Sequence, residues 1–332
     1  MTRARLLITR TLPDAALDLA RERFDVTLWP HDEPIGDALM TYVQSSDAVL
    51  VMATDRLDRV RLRAMSSHVQ ALATYSVGYD HIDLEAATEF GLPVFYTPDV
   101  LSDAVAETAL LLILSAARDA STAETILRAG EWGPWSPTRF LGKELTGRRL
   151  GLFGMGRIGL AVARRAQAFG MRIHYHNRSR HPEDAGITYH PSLDSLLGIS
   201  DVLCVCAPST EQTRGALNAD RIALLPEGAV FVNIARGDLV DEAALMDAIE
   251  SGRIASAGLD VYCNEPHIDR RFLTLPRTTL LPHVGSATYE ARLAMGRLAI
   301  EALEQWLYVG KTSANCLNPS VPTPKVHFGS DL

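Results

Sequence analysis

Residues 148–170 read RRLGLFGMGRIGLAVARRAQAFG, an apolar run followed by a glycine-rich turn and then by a helical pattern. The turn is a G-x-G-x-x-G formed by Gly154, Gly156 and Gly159. In such a turn the first glycine permits a tight bend, the second lets backbone approach a pyrophosphate, and the third lets helix pack on strand. The N-terminus of the helix then faces the phosphates. The stretch therefore predicts the opening strand, turn and helix of a dinucleotide-binding domain.

Short apolar runs alternate with helical patterns on both sides of this turn, which is typical of parallel α/β architecture. Six strands in the second series suit a doubly wound nucleotide-binding sheet, and they are predicted at 149–153, 171–175, 202–206, 229–233, 255–259 and 279–282. Five more are predicted at 5–9, 25–29, 47–52, 71–75 and 93–97. Between the two series, the middle of the helix at 102–118 is apolar all round, so we expect this helix to be buried between domains or against another subunit. The last helix, at about 288–309 and ending near Gly310, could belong to either half.

The composition excludes several classes of protein. The chain has 332 residues, of which 47% are apolar and 22% charged, and its net charge is −8 without any basic run. Nucleic acid is therefore not an expected partner, because binding to phosphate backbones needs clustered cations. The longest aliphatic run, at 109–114, is far shorter than the roughly 20 residues of a membrane span. No metal-ligand spacing occurs, and two of the four cysteines, Cys204 and Cys206, suit buried positions on one face of an apolar strand, so we expect a metal-free, reduced, cytoplasmic protein.

The stretch RIHYHNRSR, residues 172–180, ends the second strand of the nucleotide-binding series. At this point an aspartate or glutamate usually binds the ribose hydroxyls of NAD. Asn177 stands there instead, which removes the charge that would repel a 2′-phosphate. Arg178 and Arg180 supply cations and Ser179 a neutral donor, so NADP(H) is the expected cofactor. The alternative is NAD(H), with Asn177 on the hydroxyls and both arginines solvated.

Four polar residues follow strands of the same series, namely Arg236, Asp260, Glu265 and His283. The carboxyl ends of parallel strands form the edge at which ligands bind. Hydride transfer to a 2-oxo acid needs an arginine to grip the carboxylate, a histidine to protonate the keto oxygen, and a carboxylate to hold the imidazole. Singly, each residue could cap a helix or stand in a surface turn. Together they predict a catalytic set.

Several longer stretches resemble the D-isomer-specific 2-hydroxyacid dehydrogenases, and most closely the glyoxylate/hydroxypyruvate reductases. They follow one another along nearly the whole chain: YSVGYDHIDLEAATEFGLPVFYTPDVLSDAVAE (75–107), EWGPWSP (131–137), GMGRIG, NIARGDLV, AGLDVYCNEP and LPHVGSAT. The resemblance implies an α/β protein of two doubly wound parallel-sheet domains with a cleft between them. The Rossmann cofactor domain would be 103–286, and the flavodoxin-like substrate domain would combine 1–102 with 287–332. It also implies closure about a hinge and a homodimer built largely on the cofactor domains, with the helix at 103–118 near the interface.

The resemblance also implies roles for individual residues. The implied catalytic residues are Arg236, Glu265 and His283. The implied substrate contacts are Ser76, Val77, Gly78, Arg236, His283 and Trp135. Of these, Val77 and Gly78 would act through backbone amides, and Trp135 would reach a neighbouring subunit's pocket or simply pack at the interface. The implied cofactor contacts are Gly154, Gly156, Arg157, Ile158, Gly159, Asn177, Arg178, Ser179, Arg180, Ala207, Pro208, Thr213, Ile234, Ala235, Asp260 and Gly285.

The predicted activity is the reduction of a small 2-oxo acid with NADPH, glyoxylate to glycolate or hydroxypyruvate to D-glycerate. One alternative is a dehydrogenase for a bulkier 2-oxo acid, because pocket volume cannot be read from sequence. Another is a non-catalytic dinucleotide-sensing scaffold, since some relatives of the fold act as transcriptional corepressors. The intact arginine, glutamate and histidine argue against a scaffold, and against a methyl-donor or adenosine-nucleotide binder.

Overall fold

The computed structural model describes residues 3–323. The strands are β1 (Arg5–Ile8), β2 (Asp25–Leu28), β3 (Ala48–Val51), β4 (Ala71–Thr74), β5 (Val94–Phe95), β6 (Arg149–Phe153), β7 (Arg172–His176), β8 (Thr188–Tyr189), β9 (Val202–Val205), β10 (Ala229–Asn233), β11 (Ile254–Leu259) and β12 (Thr278–Leu280). The α-helices are α1 (Asp14–Arg23), α2 (Leu39–Val43), α3 (Arg59–Met65), α4 (Leu84–Glu89), α5 (Ser102–Arg118), α6 (Ala120–Arg128), α7 (Arg157–Ala168), α8 (Leu193–Leu197), α9 (Ala219–Ile222), α10 (Glu242–Glu250) and α11 (Tyr289–Glu304). Short 3₁₀ turns lie at Gly36–Ala38, Gly237–Leu239 and Arg270–Thr274, and a π-helical turn follows α11 at Gln305–Val309.

The chain divides into two compact units. The first comprises residues up to Leu101 together with those from Ala287 onward, and the second is Ser102–Ser286. The terminal helix α11 therefore lies in the first unit, where it packs on α1 and β4. A Cβ at Gly296 of α11 would lie 2.7 Å from the Cβ of Ala16, so glycine is what allows this close packing. Gly310 ends the helical segment in a left-handed conformation, as the sequence predicts.

The first unit is built on a five-stranded parallel sheet. Its order is β2-β1-β3-β4-β5, with β1 pairing to both β2 and β3. Every residue of β3 and β4 is buried, because helices cover both faces of a doubly wound sheet. Full burial of each valine or leucine side chain contributes about 1.5–3 kcal/mol. This strand order is the flavodoxin-like one, which confirms that part of the predicted fold.

The second unit is built on a seven-stranded parallel sheet. Its order is β12-β11-β10-β9-β6-β7-β8, and the chain reverses its direction across the sheet between β6 and β9. The predicted doubly wound sheet is confirmed, but the expected count of six strands was wrong. The additional strand is β8, which pairs with the outer side of β7. With only Thr188 and Tyr189, both at least partly exposed, it has no apolar run for sequence analysis to detect.

The apolar helix α5 is buried within its own unit. It packs on β10, β11 and α7, and the hydroxyl of Ser256 in β11 donates to the carbonyl of Ala116 at 2.8 Å. A Cβ at Gly258 would lie 2.9 Å from Leu112, so the glycine lets helix and sheet approach closely. Leu111 on the same helix is 56% exposed. The burial predicted from the sequence is thus supplied largely by the helix's own sheet.

Candidate active site

The glycine turn that follows β6 leaves open space at the N-terminus of α7. A Cβ at Gly154, which has a φ of 95°, would lie 2.5 Å from the amide nitrogen of Ala207. A Cβ at Gly159 would lie 2.5 Å from the carbonyl oxygen of Gly154. By contrast, a Cβ at Gly156 would have no neighbour within 4 Å. Packing therefore requires the outer two glycines, whereas the middle one borders the open space that a pyrophosphate needs at a helix N-terminus.

Asn177 supports the glycine turn directly. Its side-chain Oδ1 accepts a hydrogen bond of 2.6 Å from the Met155 amide, and its Nδ2 donates one of 2.9 Å to the Met155 carbonyl. An aspartate could accept the first bond but could not donate the second. The two polar atoms that the sequence suggested for the ribose are thus bonded to Met155 in the turn, and the residue type suits that pairing.

The two predicted cations beside Asn177 have different surroundings. The Nε of Arg180 donates to Oδ2 of Asp184 at 2.6 Å, an ion pair that the sequence analysis did not foresee. Arg178 and Ser179 are exposed. Within residues 3–323, no hydrogen bond or ion pair engages the side chain of Arg178. One of the two cations is therefore already paired with a carboxylate of the protein.

His283 and Glu265 form a close pair beyond the ends of β11 and β12. Nδ1 of His283 and Oε2 of Glu265 lie 2.6 Å apart, and the other oxygen, Oε1, accepts from the Tyr262 amide at 2.8 Å. Burial alone would raise the pKa of Glu265, but the hydrogen bond and charge of His283, aided by the Tyr262 amide and Arg236, lower it. The carboxylate is thereby kept ionised beside the imidazole. Both side chains are accessible, with 42% of His283 and 32% of Glu265 exposed.

Asp260 fastens the loop that carries His283. Its backbone carbonyl accepts from the His283 amide at 2.8 Å, and its carboxylate oxygens accept from the amides of Val284 at 2.7 Å and Gly285 at 2.8 Å. Only 1% of Asp260 is exposed. Burial raises the pKa of its carboxyl, against the two amide hydrogen bonds that lower it. The structure thus assigns this predicted cofactor contact a supporting role in the His283 loop.

Arg236 follows β10 in a turn that is held from within. Oδ1 of Asn233 accepts from the Ala235 amide at 3.0 Å, and Nδ2 of Asn233 donates to the Arg236 carbonyl at 2.8 Å. A Cβ at Gly237 would lie 2.0 Å from the backbone of Tyr262, so this turn packs directly on the segment leading to Glu265. Sequence analysis missed Asn233, although a polar residue ending the otherwise apolar strand AVFVN was a signal.

The remaining predicted cofactor contacts occupy the same edge of the sheet. Because the strand order is β12-β11-β10-β9-β6-β7, the residues that follow these strands form a row from His283 to Asn177. Ala207 packs against Gly154, and the Thr213 hydroxyl donates to the Pro208 carbonyl at 2.6 Å. The other predicted cofactor contacts at this edge are Arg157 and Ile158 at the start of α7, Ile234 and Ala235 after β10, and Gly285 after β12.

Two groups of predicted substrate contacts lie elsewhere in the chain. Ser76, Val77 and Gly78 belong to the first unit, immediately after β4. The Ser76 hydroxyl donates to the Gly78 carbonyl at 2.6 Å, which gives this segment a defined turn. Trp135 lies between α6 and β6 and is 82% exposed. The structure therefore groups the catalytic candidates with the cofactor candidates in one unit, and the Ser76 segment in the other.

The described part of the chain contains neither a candidate metal site nor a membrane-spanning helix. In residues 3–323 no three histidine, cysteine or acidic side chains are grouped so that they could hold a metal ion. Across the same range, none of the helices combines the length and apolar character needed to cross a membrane.

The chain is similar in sequence to known proteins over most of its length. Residues 110–285 match the family described as D-isomer specific 2-hydroxyacid dehydrogenase, NAD binding domain. The glyoxylate reductase of Thermococcus kodakarensis is 42% identical over an alignment of 309 residues that covers 91% of this chain and 92% of the relative. The glycerate dehydrogenase of Hyphomicrobium methylovorum is 40% identical over an alignment of 309 residues that covers 92% of this chain and 96% of the relative.

A solved structure shows a similar fold over almost the entire length. It is an NADPH-dependent glyoxylate/hydroxypyruvate reductase from Sinorhizobium meliloti, in complex with NADP and malonate. The TM-score is 0.86 at 37% sequence identity, with 98% of this chain and 99% of the other covered. The similarity in fold and in sequence therefore extends over nearly the whole of each protein.

Proposed function

The chain belongs to the D-isomer-specific 2-hydroxyacid dehydrogenases, which are NAD(P)-dependent oxidoreductases, and we propose that it reduces glyoxylate to glycolate, hydroxypyruvate to D-glycerate, or both. The relatives named glyoxylate reductase and glycerate dehydrogenase support a small 2-oxo acid as substrate. The observation that carries the proposal is the His283–Glu265 pair at 2.6 Å. It lies at the same sheet edge as Arg236 and the glycine turn, which supports the proposal that an acid, an anion-binding group and a dinucleotide site act together.

The proposed mechanism gives each of the candidate residues one task. When bound, the nicotinamide cofactor supplies the hydride that adds to the keto carbon. Arg236 binds the substrate carboxylate and polarises the keto oxygen. His283, protonated at Nε2, gives its proton to the keto oxygen and so completes the alcohol. Glu265 holds Nδ1 and thereby aims the other ring nitrogen at the substrate.

We further propose that NADPH is preferred over NADH. A carboxylate at position 177 would repel a 2′-phosphate, and this chain has an asparagine there. The segment that follows carries two arginines, whose guanidinium groups suit phosphate. The Sinorhizobium meliloti reductase, which is NADPH-dependent by name, is similar over nearly its full length and supports the same preference.

The activity is tested by initial rates of glyoxylate and hydroxypyruvate reduction, each measured with NADPH and with NADH as loss of nicotinamide absorbance. We expect turnover of at least one substrate, with kcat/KM at least tenfold higher for NADPH. Turnover that favours NADH would keep the reaction and reject the cofactor preference. Without turnover of either acid, phenylpyruvate and branched-chain 2-oxo acids would be tried next, and inactivity with these too would leave a binding role.

We also propose that the protein forms a homodimer through the second unit. The segment 127–141 exposes several large apolar side chains, namely Leu127, Trp132, Trp135, Phe140 and Leu141, each with at least 42% of its surface accessible. Five large apolar side chains exposed within 15 residues of chain support an interface between proteins, because monomers rarely expose large apolar patches. The cytoplasmic location stays a prediction from the sequence.

A further inference from the structure

The loop between β7 and β8, residues 177–187, is fastened to the second unit at both ends. At its start, the Asn177 side chain is bonded to Met155 in the glycine turn. Beyond its end, the His190 amide donates to the Tyr175 carbonyl at 2.7 Å, and Nδ1 of His176 lies 2.9 Å from the His190 carbonyl oxygen. The loop therefore has a defined course, and its side chains have defined surroundings.

Arg180 forms an ion pair with Asp184 within this loop. Its Nε donates to Oδ2 of Asp184 at 2.6 Å. The same Oδ2 accepts from the hydroxyl of the buried Tyr175 at 2.8 Å, and that hydroxyl accepts from the His181 amide at 2.9 Å. Only 12% of the Asp184 side chain is exposed, against 69% for Arg180. The carboxylate is thus held in place by the strand beneath it, and it holds the arginine in turn.

Arg178 has different surroundings. It follows directly on Asn177, the residue bonded to the glycine turn, and its side chain is exposed. In the described part of the chain no carboxylate pairs with it. A 2′-phosphate meeting Arg178 therefore meets a full positive charge. At Arg180, the 2′-phosphate would instead approach an ion pair of no net charge. To bind the guanidinium it would have to replace the charge-assisted hydrogen bond from Arg180 to Asp184.

We propose that Asp184 is a specificity-determining residue: it engages the charge of Arg180 and so leaves Arg178 as the cation that meets the cofactor's 2′-phosphate. This inference rests on the proposed preference for NADPH and deepens it. The two arginines, two positions apart, then have unequal roles that the sequence motif alone does not distinguish. Asp184 also places a negative charge in the loop, which limits how strongly the site favours a phosphorylated ribose.

Three single variants test this assignment: Arg178→Ala, Arg180→Ala and, as a matched control, Arg172→Ala, which removes an exposed arginine from the opposite end of β7. For each, the Kd of NADPH and of NADH is measured without substrate by nicotinamide fluorescence, and kcat/KM is measured with both cofactors at saturating glyoxylate or hydroxypyruvate; the Kd values should rise in parallel with any fall in the kcat/KM values. We expect R178A to lower the NADPH value about tenfold to a hundredfold, the usual weight of a hydrogen bond to a charged group, and to leave the NADH value within twofold. R180A should lower the NADPH value less than threefold, and R172A should leave the NADPH/NADH ratio unchanged.

A fourth variant, Asp184→Asn, tests the role of the carboxylate. Asparagine keeps an acceptor for the Tyr175 hydroxyl but frees Arg180 and removes a negative charge. The ratio of kcat/KM for NADPH over NADH should therefore rise severalfold, and it should fall again when Arg180→Ala is added. An unchanged or lower ratio in D184N would overturn the role of Asp184.

The outcomes separate this inference from the proposal beneath it. A wild-type protein that does not favour NADPH would reject the cofactor preference and the assignment of Arg178 together. A wild-type protein that favours NADPH while R180A loses as much as R178A would reject the assignment alone. If R178A retained the preference for NADPH, the assignment of Arg178 would likewise be rejected while the proposed cofactor preference would stand.

Discussion

His283 has a left-handed backbone, with a φ of 56°. Few residues other than glycine adopt this conformation without cost, and such residues are concentrated at functional sites. Here the cost is balanced by the hydrogen bonds that Asp260 accepts from three successive amides of the loop. The same loop aims the imidazole at Glu265. The unfavourable backbone conformation of His283 thus accompanies the side-chain geometry that the proposed chemistry needs.

Replacement of His283 should greatly reduce turnover and leave the binding of the cofactor unchanged. His283→Asn is the sharper variant, because asparagine tolerates a positive φ but does not act as a general acid near neutral pH. We expect kcat to fall by about 10²- to 10⁴-fold, the usual contribution of general acid catalysis, with the Kd for NADPH within twofold of wild type.

The control for this variant is His68→Ala, which removes an exposed histidine from the first unit. It should leave both kcat and the Kd unchanged. Near-normal kcat in His283→Asn would exclude the histidine as the acid and with it the proposed mechanism.

The two sheets are anchored by the same arrangement of arginine and aspartate. Arg149, the first residue of β6, donates from its amide and its Nε to Oδ2 of Asp201, at 2.9 and 3.0 Å, and from Nη2 to Oδ1 at 2.8 Å. Arg5, at the start of β1, makes the equivalent three bonds to Asp47. Each aspartate immediately precedes its neighbouring strand, so each set of bonds fixes the register of two central strands.

Loss of the Asp201 carboxylate should therefore weaken the second unit in a pH-dependent way. The hydrogen bond from Arg149 is the main reason that the pKa of Asp201 lies below its usual 3.8. A lowered folded pKa gives stability that is present above the unfolded value and is lost as the pH falls through the folded one. Asp201→Asn should reduce the free energy of unfolding at pH 7 by about 1–2 kcal/mol, and the deficit should shrink below about pH 4.

Urea unfolding at several pH values measures this difference. Asp194→Asn is the control, because Asp194 pairs with Arg221 at the surface, where both side chains are more than a third exposed. Exposed pairs contribute little, so its effect should stay within about 0.5 kcal/mol. A deficit in Asp201→Asn that is independent of pH would mean that the charge of the carboxylate is not what stabilises the strand register.

The exposed apolar segment 127–141 bears on the assembly of the whole molecule. Sedimentation velocity at micromolar concentration should show a species of two chains. The double variant Trp132→Asp with Leu141→Asp should shift it toward one chain, because each change places a charge on an apolar interface. Val60→Asp, at a residue that is 78% exposed in the first unit, is the matched control and should leave the dimer intact. A monomeric wild-type protein would reject the proposed dimer.

The sequence by itself determined the fold class and the kinds of chemistry present. Short apolar runs predicted eleven strands, and the clearest were fully buried ones such as β3 and β9, because a parallel strand covered on both faces is a continuous apolar segment, which is a local property. The glycine turn was recognisable because its three glycines have fixed spacing in the chain. The types of residue at 236, 265 and 283 indicated hydride transfer to an acid, since arginine, carboxylate and histidine supply the groups that this reaction needs. The two-residue strand β8 escaped detection because it is too short to show any pattern.

Only the tertiary structure decided which groups meet. The strand order brings Arg236, Glu265 and His283 to one edge of the sheet, although they follow three different strands, β10, β11 and β12, that are separated in sequence. The tertiary structure also pairs the Asn177 side chain with the Met155 backbone and the Arg180 side chain with Asp184, and the motif revealed neither pairing. The physical reason is that a hydrogen bond depends on distances and angles defined within fractions of an ångström. Residue type states what a side chain can bind, and the course of the backbone determines what it does bind.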